Sequence, residues 1–231
     1  MEIPNKIIIF DAGTIISLSM NGLLPELRKL KEIFKGKFII PHEVKKELID
    51  NAIKIKRFEL EALRSKQLIE QGIVELPEAI GISKNEVSTK TFEFLESANE
   101  MFMSNKKEIK IIHNGEAACL GLSKILNEKG IENLIAIDER TTRMIVEKPQ
   151  NLKALLERKM HTRVIFKKDN SKDFRGFKII RSAELVYIAH KKGLVQVKDK
   201  GRLLDALLYA VKFKGCAISG KEIEEIKKLE S

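Results

Sequence analysis

The sequence predicts an α/β fold, a three-layer α/β/α sandwich around a central and mostly parallel sheet. Short apolar runs rich in isoleucine alternate with stretches of helical period, as when crossover helices join parallel strands. Acidic residues recur where those runs end, and open parallel sheets gather their ligands beyond the carboxyl ends of their strands. A chain of 231 residues with 43% apolar content can bury the core that such a domain needs.

The strand-like runs are Lys6–Phe10, 37–40, 109–112 and 134–137, each short and β-branched, as buried parallel strands tend to be. Helical period fills 23–35, 43–71, 86–105 and 115–129. Ser83 and Glu86 have the spacing of a capping box that opens the third of these helices. Its apolar stripe then runs Val87, Thr91, Phe94, Leu95, Ala98, Met101 and Phe102, and Gly72 and Pro77 punctuate a loop before it. Further on, 183–192 and 203–214 read as helices that stop at Gly193 and Gly215. No repeat or low-complexity linker interrupts the chain. Residues 1–231 therefore read as a single domain, with 53–107 as a helical elaboration and 151–181 as a basic insertion.

Lys and Arg outnumber Asp and Glu by 43 to 33, and the net charge of +10 favours a polyanionic partner. Most of the surplus falls in 151–181, where ten cations, Arg163, Lys167, Lys168 and Arg175 among them, face Glu157, Asp169 and Asp173. The centre of that stretch reads as two extended runs about a polar turn. Phe166, Phe174 and Phe177 interleave with the cations, as on surfaces that track phosphates and stack bases. A solvated hairpin whose phenylalanines face the core is the equal alternative. Cys119 and Cys216 lie in apolar surroundings without metal-ligand spacing, so buried thiols are expected. With no apolar stretch of membrane length and no signal-peptide layout, a cytoplasmic protein is expected as well.

Four acids carry the functional reading. Asp11 follows Ile7-Ile8-Ile9-Phe10, and Asp138 follows Leu134-Ile135-Ala136-Ile137. Glu47 lies just inside the helix after Pro41, and Glu116 lies in the first turn of the helix that opens at His113-Asn114-Gly115. Each has an ordinary explanation: the aspartates as N-caps, Glu116 as a partner of the helix dipole, Glu47 as a surface residue with Glu43 its rival one turn away. Jointly, carboxylates gathered on one sheet edge suit a hard cation such as Mg²⁺ or Mn²⁺ and point to a metal-dependent phosphodiesterase.

These segments resemble the motifs of PIN-domain nucleases. The run from Ile7 to Asp11 is similar to that family's first motif, a hydrophobic strand ending in Asp, with Gly13 where a small polar residue is frequent and Thr14 beside it. Pro41-His42-Glu43-Val44-Lys45-Lys46-Glu47-Leu48 resembles the second motif, in a register that selects Glu47 over Glu43. Gly115-Glu116-Ala117 resembles the element carrying the third acid, and Asp138-Glu139-Arg140 the fourth motif. The segments from Ser182 to Leu194 and from Leu203 to Leu208 are similar to the tail of small VapC-like prokaryotic members. The segment 53–107 is longer than the simplest members carry.

The resemblance implies a cluster of Asp11, Glu47, Glu116 and Asp138 around one or two Mg²⁺ or Mn²⁺ ions. Asp11 and Asp138 are then direct ligands, Glu116 a ligand or bridge, and Glu139 an added acid. RNA is the implied substrate, and Arg140, Arg143, Arg163, Lys167, Lys168 and Arg175 are the cations that would hold its backbone. DNA stays open, because nothing here reads a 2′-hydroxyl. An antitoxin-like protein and a homodimer are the implied partners. Two rivals come from other classes. A PIN-like module that binds RNA or protein and cleaves nothing is the stronger. A haloacid-dehalogenase-type phosphatase is the weaker, because only one acid precedes Gly13-Thr14, at the wrong spacing.

Overall fold

The computed structural model describes residues 6–199 and 201–230. In chain order, β1 (Lys6–Phe10) leads into α1 (Ala12–Met20), α2 (Leu24–Ile33), β2 (Lys37–Ile39), α3 (His42–Lys45) and α4 (Glu59–Glu70). Then come α5 (Lys84–Glu100), β3 (Phe102–Ser104), β4 (Lys107–Glu108), α6 (Asn114–Glu128) and β5 (Glu132–Ala136). α7 (Arg140–Glu147), α8 (Pro149–Met160), β6 (Ile165–Phe166) and β7 (Ile179–Ile180) precede α9 (Ser182–Lys191), α10 (Leu203–Phe213) and α11 (Gly220–Lys227). The fold is α/β. β2, β1, β5 and β7 form a four-stranded sheet in that order, every pairing parallel, and β4, β3 and β6 form a small antiparallel sheet.

β1 is an inner strand paired on both edges, and Ile7, Ile8, Ile9 and Phe10 are all buried. That is why the run lacks polar alternation. α6 is buried through most of its length and packs on β1, β5, α3 and α5. Its contact with α5 is close at Gly121, where a Cβ would stand 3.0 Å from the backbone of Lys90 and Thr91. Both cysteines are buried free thiols.

Several expectations need correction. The run 109–112 forms no strand: Ile111 and Ile112 are buried, but their amides donate to Asn99 Oδ1 at 2.7 and 3.4 Å. An apolar run reports burial, and a side-chain acceptor has replaced the sheet partner. The helix expected over 43–71 is broken into α3, a π-helical turn at Lys46–Asn51, a 3₁₀ turn at Ala52–Lys54, and α4. The basic insertion is no hairpin. β6 joins the antiparallel sheet and β7 the parallel one, with a 3₁₀ segment at Lys168–Phe174 between them. Periodicity registers extended chain but not its partner, and here the two runs have different partners.

Three interleaved phenylalanines face inward. Phe174 and Phe177 meet Phe94 edge-on, and Phe166 stacks on Phe102 with centroids 5.0 Å apart. α1, α7, α8 and α11 were not expected. α1 is buried on several sides and so shows no stripe, and its helical start rests on Asp11, whose carboxylate accepts from the Gly13 amide. The capping box at Ser83 is half made: Ser83 accepts from the Glu86 amide at 3.2 Å, while the Glu86 carboxylate lies 3.4 Å from Lys129. Among the described residues no helix is long and apolar enough to cross a membrane.

Candidate functional site

The parallel register sets the carboxyl ends of β2, β1 and β5 side by side, so the residues that follow them share one edge. The Asp11 amide donates to the Ala136 carbonyl at 3.0 Å, which ties the first acid to the strand that delivers Asp138. Asp11 N-caps α1, its Oδ2 accepting from the Gly13 amide at 3.1 Å, and is only 5% exposed. Glu47 arrives on the π-helical turn, a local widening of the helix that often marks functional sites. Glu116 lies in the first turn of α6 and accepts from the His113 amide at 2.8 Å.

Asp11, Glu47 and Glu116 come together around Gly115. A Cβ on Gly115 would stand 3.0 Å from Glu47 Oε2 and 3.4 Å from Asp11 Oδ1. Those two oxygens are therefore no farther apart than the sum of these distances, and the missing side chain is what admits them. Burial, then the charges of Glu116 and Glu47, push the Asp11 carboxyl from its ordinary 3.8 to about 8, against the Gly13 and Ala12 amides. Glu47 is exposed as a residue, yet partial burial of its carboxyl and the Glu116 charge push it up too, with His113 opposing. Glu43, which the motif register set aside, reaches the same place. One oxygen accepts from the Ser88 hydroxyl at 3.4 Å, and the other is buried without a hydrogen bond. Glu43, Glu47 and Glu116 line a cleft of about 640 Å³, together with Lys46, Lys84, Lys110 and His113.

Asp138 stands in other surroundings. Its Oδ1 accepts from the Ser182 amide at 2.7 Å, its Oδ2 is buried with no hydrogen bond of normal geometry, and the residue is only 3% exposed. Burial and then the Glu184 charge raise its carboxyl, although the Ser182 amide and hydroxyl and the Cys216 thiol favour ionisation. Burial, then Asp138, push the Cys216 thiol up to about 12. Glu139 caps α7, accepting from the Thr142 amide at 2.6 Å and its hydroxyl at 3.2 Å. Among the described residues, no three His, Cys, Asp or Glu side chains stand close enough as placed to enclose a metal ion.

The predicted cations lie elsewhere. Arg140 and Arg143 line a separate cleft of about 380 Å³, where Arg143 donates to the Ala217 carbonyl at 2.9 Å and faces Glu147 and Glu222. Arg175 lines a third cleft, of about 650 Å³, beside Lys148 and Gly176. Arg163 and Lys167 are exposed near β6, and the side chain of Lys168 falls outside what is described. Lys46, Lys84 and Lys110, at the cleft that holds the acids, were missed. They sit on three chain-distant segments with no shared spacing, so no local pattern points to them.

Arg181, the last of the ten cations in 151–181, carries no local signal that sets it apart. It is buried and ion-paired to Glu184 and to Glu222, the latter at 2.7 Å. Burial opposes ionisation of Glu222, but the Ser219 amide and hydroxyl and the Arg181 guanidinium lower its carboxyl to about 2. No protein-family model, curated protein or solved structure matches this chain.

Proposed function

We propose that the chain is a metal-dependent nuclease of PIN-like, three-layer α/β/α architecture that hydrolyses RNA phosphodiester bonds. One observation carries the reading. Asp11, Glu47 and Glu116, from three separate segments, converge across a glycine that lacks the side chain to keep them apart, beside an open cleft. A protein gains nothing in stability from crowding carboxylates, and the upward push on Asp11 is the consequence of burial and of its neighbours' charges. Such a donor set, all oxygen and short of positive partners, fits a hard cation.

Asp11, Glu47 and Glu116 would hold the ion, and Asp138, whose buried Oδ2 has no hydrogen bond of normal geometry, is the next carboxylate along the edge. When bound, Mg²⁺ or Mn²⁺ supplies an activated water and neutralises charge on the leaving oxygen. Asp11 also fixes the start of α1. Glu116 holds the His113 amide and so the entry of α6. Glu47, the exposed member, orients the attacking water at its carboxylate and takes up its proton.

A second reading is favoured by a specific observation: the three carboxylates as placed do not close into a ligand set. In it the cleft binds RNA and hydrolyses nothing. The two separate in one experiment. Under the nuclease reading, Mn²⁺ supports EDTA-sensitive cleavage of a broad RNA panel, and Asp11→Asn and Asp138→Asn abolish it while the circular dichroism spectrum stays native. Wild-type protein that cleaves no member of the panel hands the cleft to the binding reading.

A further inference from the structure

We propose that Lys46, Lys84 and Lys110 form a cationic rim that grips the phosphates flanking the bond held over Asp11, Glu47 and Glu116. Single-stranded polynucleotide is thereby gripped in part by this chain's own helical elaboration, which supplies Lys84. The inference rests on the reading of the cleft as a phosphodiester site and extends it to how substrate is held.

The three lysines come from different segments yet line one cleft. All three are exposed, and among the described residues none is ion-paired to Glu47 or Glu116, which line the same cleft, although the charge of Lys84 reaches Glu78. Cations placed to neutralise those acids would pair with them. Standing at the rim and not on those acids, they attract phosphate to a floor that is itself repulsive until a cation occupies it.

Their positions are fixed from beneath. Lys84 opens α5 directly after the Ser83 cap, and α5 lies against α6 at Gly121, so its start is held relative to the helix that carries Glu116. Lys110 precedes two amides that Asn99 of α5 holds through one side-chain oxygen. Lys46 is the first residue of the π-helical turn and immediately precedes Glu47. The backbone that carries Lys84 and Lys110 is thus held by α5, in a segment that the motif spacing marks as extra.

The test is binding of a fluorescein-labelled single-stranded RNA 12-mer, followed by anisotropy in EDTA across a salt series, with a DNA 12-mer of the same sequence alongside. The variant Lys46→Gln/Lys84→Gln/Lys110→Gln binds at least about tenfold more weakly at low salt. Its log-affinity against log-salt slope falls by about 2, as loss of three contacts to a single strand requires. A control of equal charge change, Lys66→Gln/Lys124→Gln/Lys221→Gln, keeps the wild-type slope. An unchanged slope in the rim variant, an equal drop in the control, or no wild-type binding to either strand overturns the proposal. Weakened binding by the rim variant with no cleavage by wild type sinks hydrolysis and leaves the rim. Intact cleavage with an unchanged slope does the reverse. An equal effect on RNA and DNA identifies the shared phosphate backbone as what the rim reads.

Discussion

Replacing Asp11 by Asn removes one negative charge from the most crowded point of the molecule and leaves its shape. Asn is as good an N-cap as Asp, so an acceptor for the Gly13 amide is retained. In the folded protein the Asp11 carboxyl is pushed from 3.8 to about 8, so the folded chain holds this proton more tightly than the unfolded chain does. Stability from Asp11 is therefore complete below about pH 4 and is lost as pH rises toward 8. Each pH unit in that window removes up to about 1.4 kcal/mol, and by pH 8 the loss is roughly 5 kcal/mol. Asn keeps the cap without the charge, so Asp11→Asn is expected to be roughly 5 kcal/mol more stable than wild type at pH 8 without metal. For a chain of this size that is roughly 10 °C in melting temperature. The assay is urea unfolding in EDTA from pH 4.5 to 8.5, repeated with Mn²⁺. Wild type loses stability along the series more steeply than the variant, which keeps the raised carboxyls of Glu47 and Asp138, and Mn²⁺ restores wild type more than the variant. A variant no more stable than wild type at pH 8 refutes the view that Asp11 is an uncompensated buried acid.

Gly115→Ala places a methyl 3.0 Å from Glu47 Oε2 and 3.4 Å from Asp11 Oδ1. It favours the helix by up to about 1 kcal/mol, yet is expected to weaken Mn²⁺ binding by about tenfold or more, read by titration calorimetry. Wild-type affinity in that variant removes Gly115 from the site. Arg181→Met leaves Glu184 and Glu222 without their shared cation. Because both carboxylates are about a third exposed, the cost is expected near 2 kcal/mol, below the roughly 3–5 kcal/mol of a fully buried break. The Glu222 carboxyl is held down at about 2, so its share of stability is present above pH 4.5 and lost on acidification. The gap between wild type and Arg181→Met in chemical unfolding therefore narrows from pH 7 to pH 2.5. A constant gap contradicts the ion-pair account.

The strands that build the parallel sheet were largely legible, because β1 and β5 are paired on both edges and so are short and end in apolar residues. The acids at their ends were legible for the same reason: the chain must turn there, and an acid at a turn stands out against an apolar run. α1 was not, since a helix buried on several sides shows no stripe. Nor were the partners of β6 and β7. Spacing along the chain says that a segment is extended but not what lies beside it, and two runs of one stretch went to two sheets. The same limit divides the candidate site. Residue type and position single out Asp11 and Asp138 at strand ends and Glu47 and Glu116 in first helical turns. Packing alone drew the first three around Gly115, added Glu43, turned Asp138 toward Ser182 and Cys216, and brought Lys46, Lys84 and Lys110 to the same rim. Local chemistry is written residue by residue, whereas proximity between distant segments arises only when helices and strands close on one another.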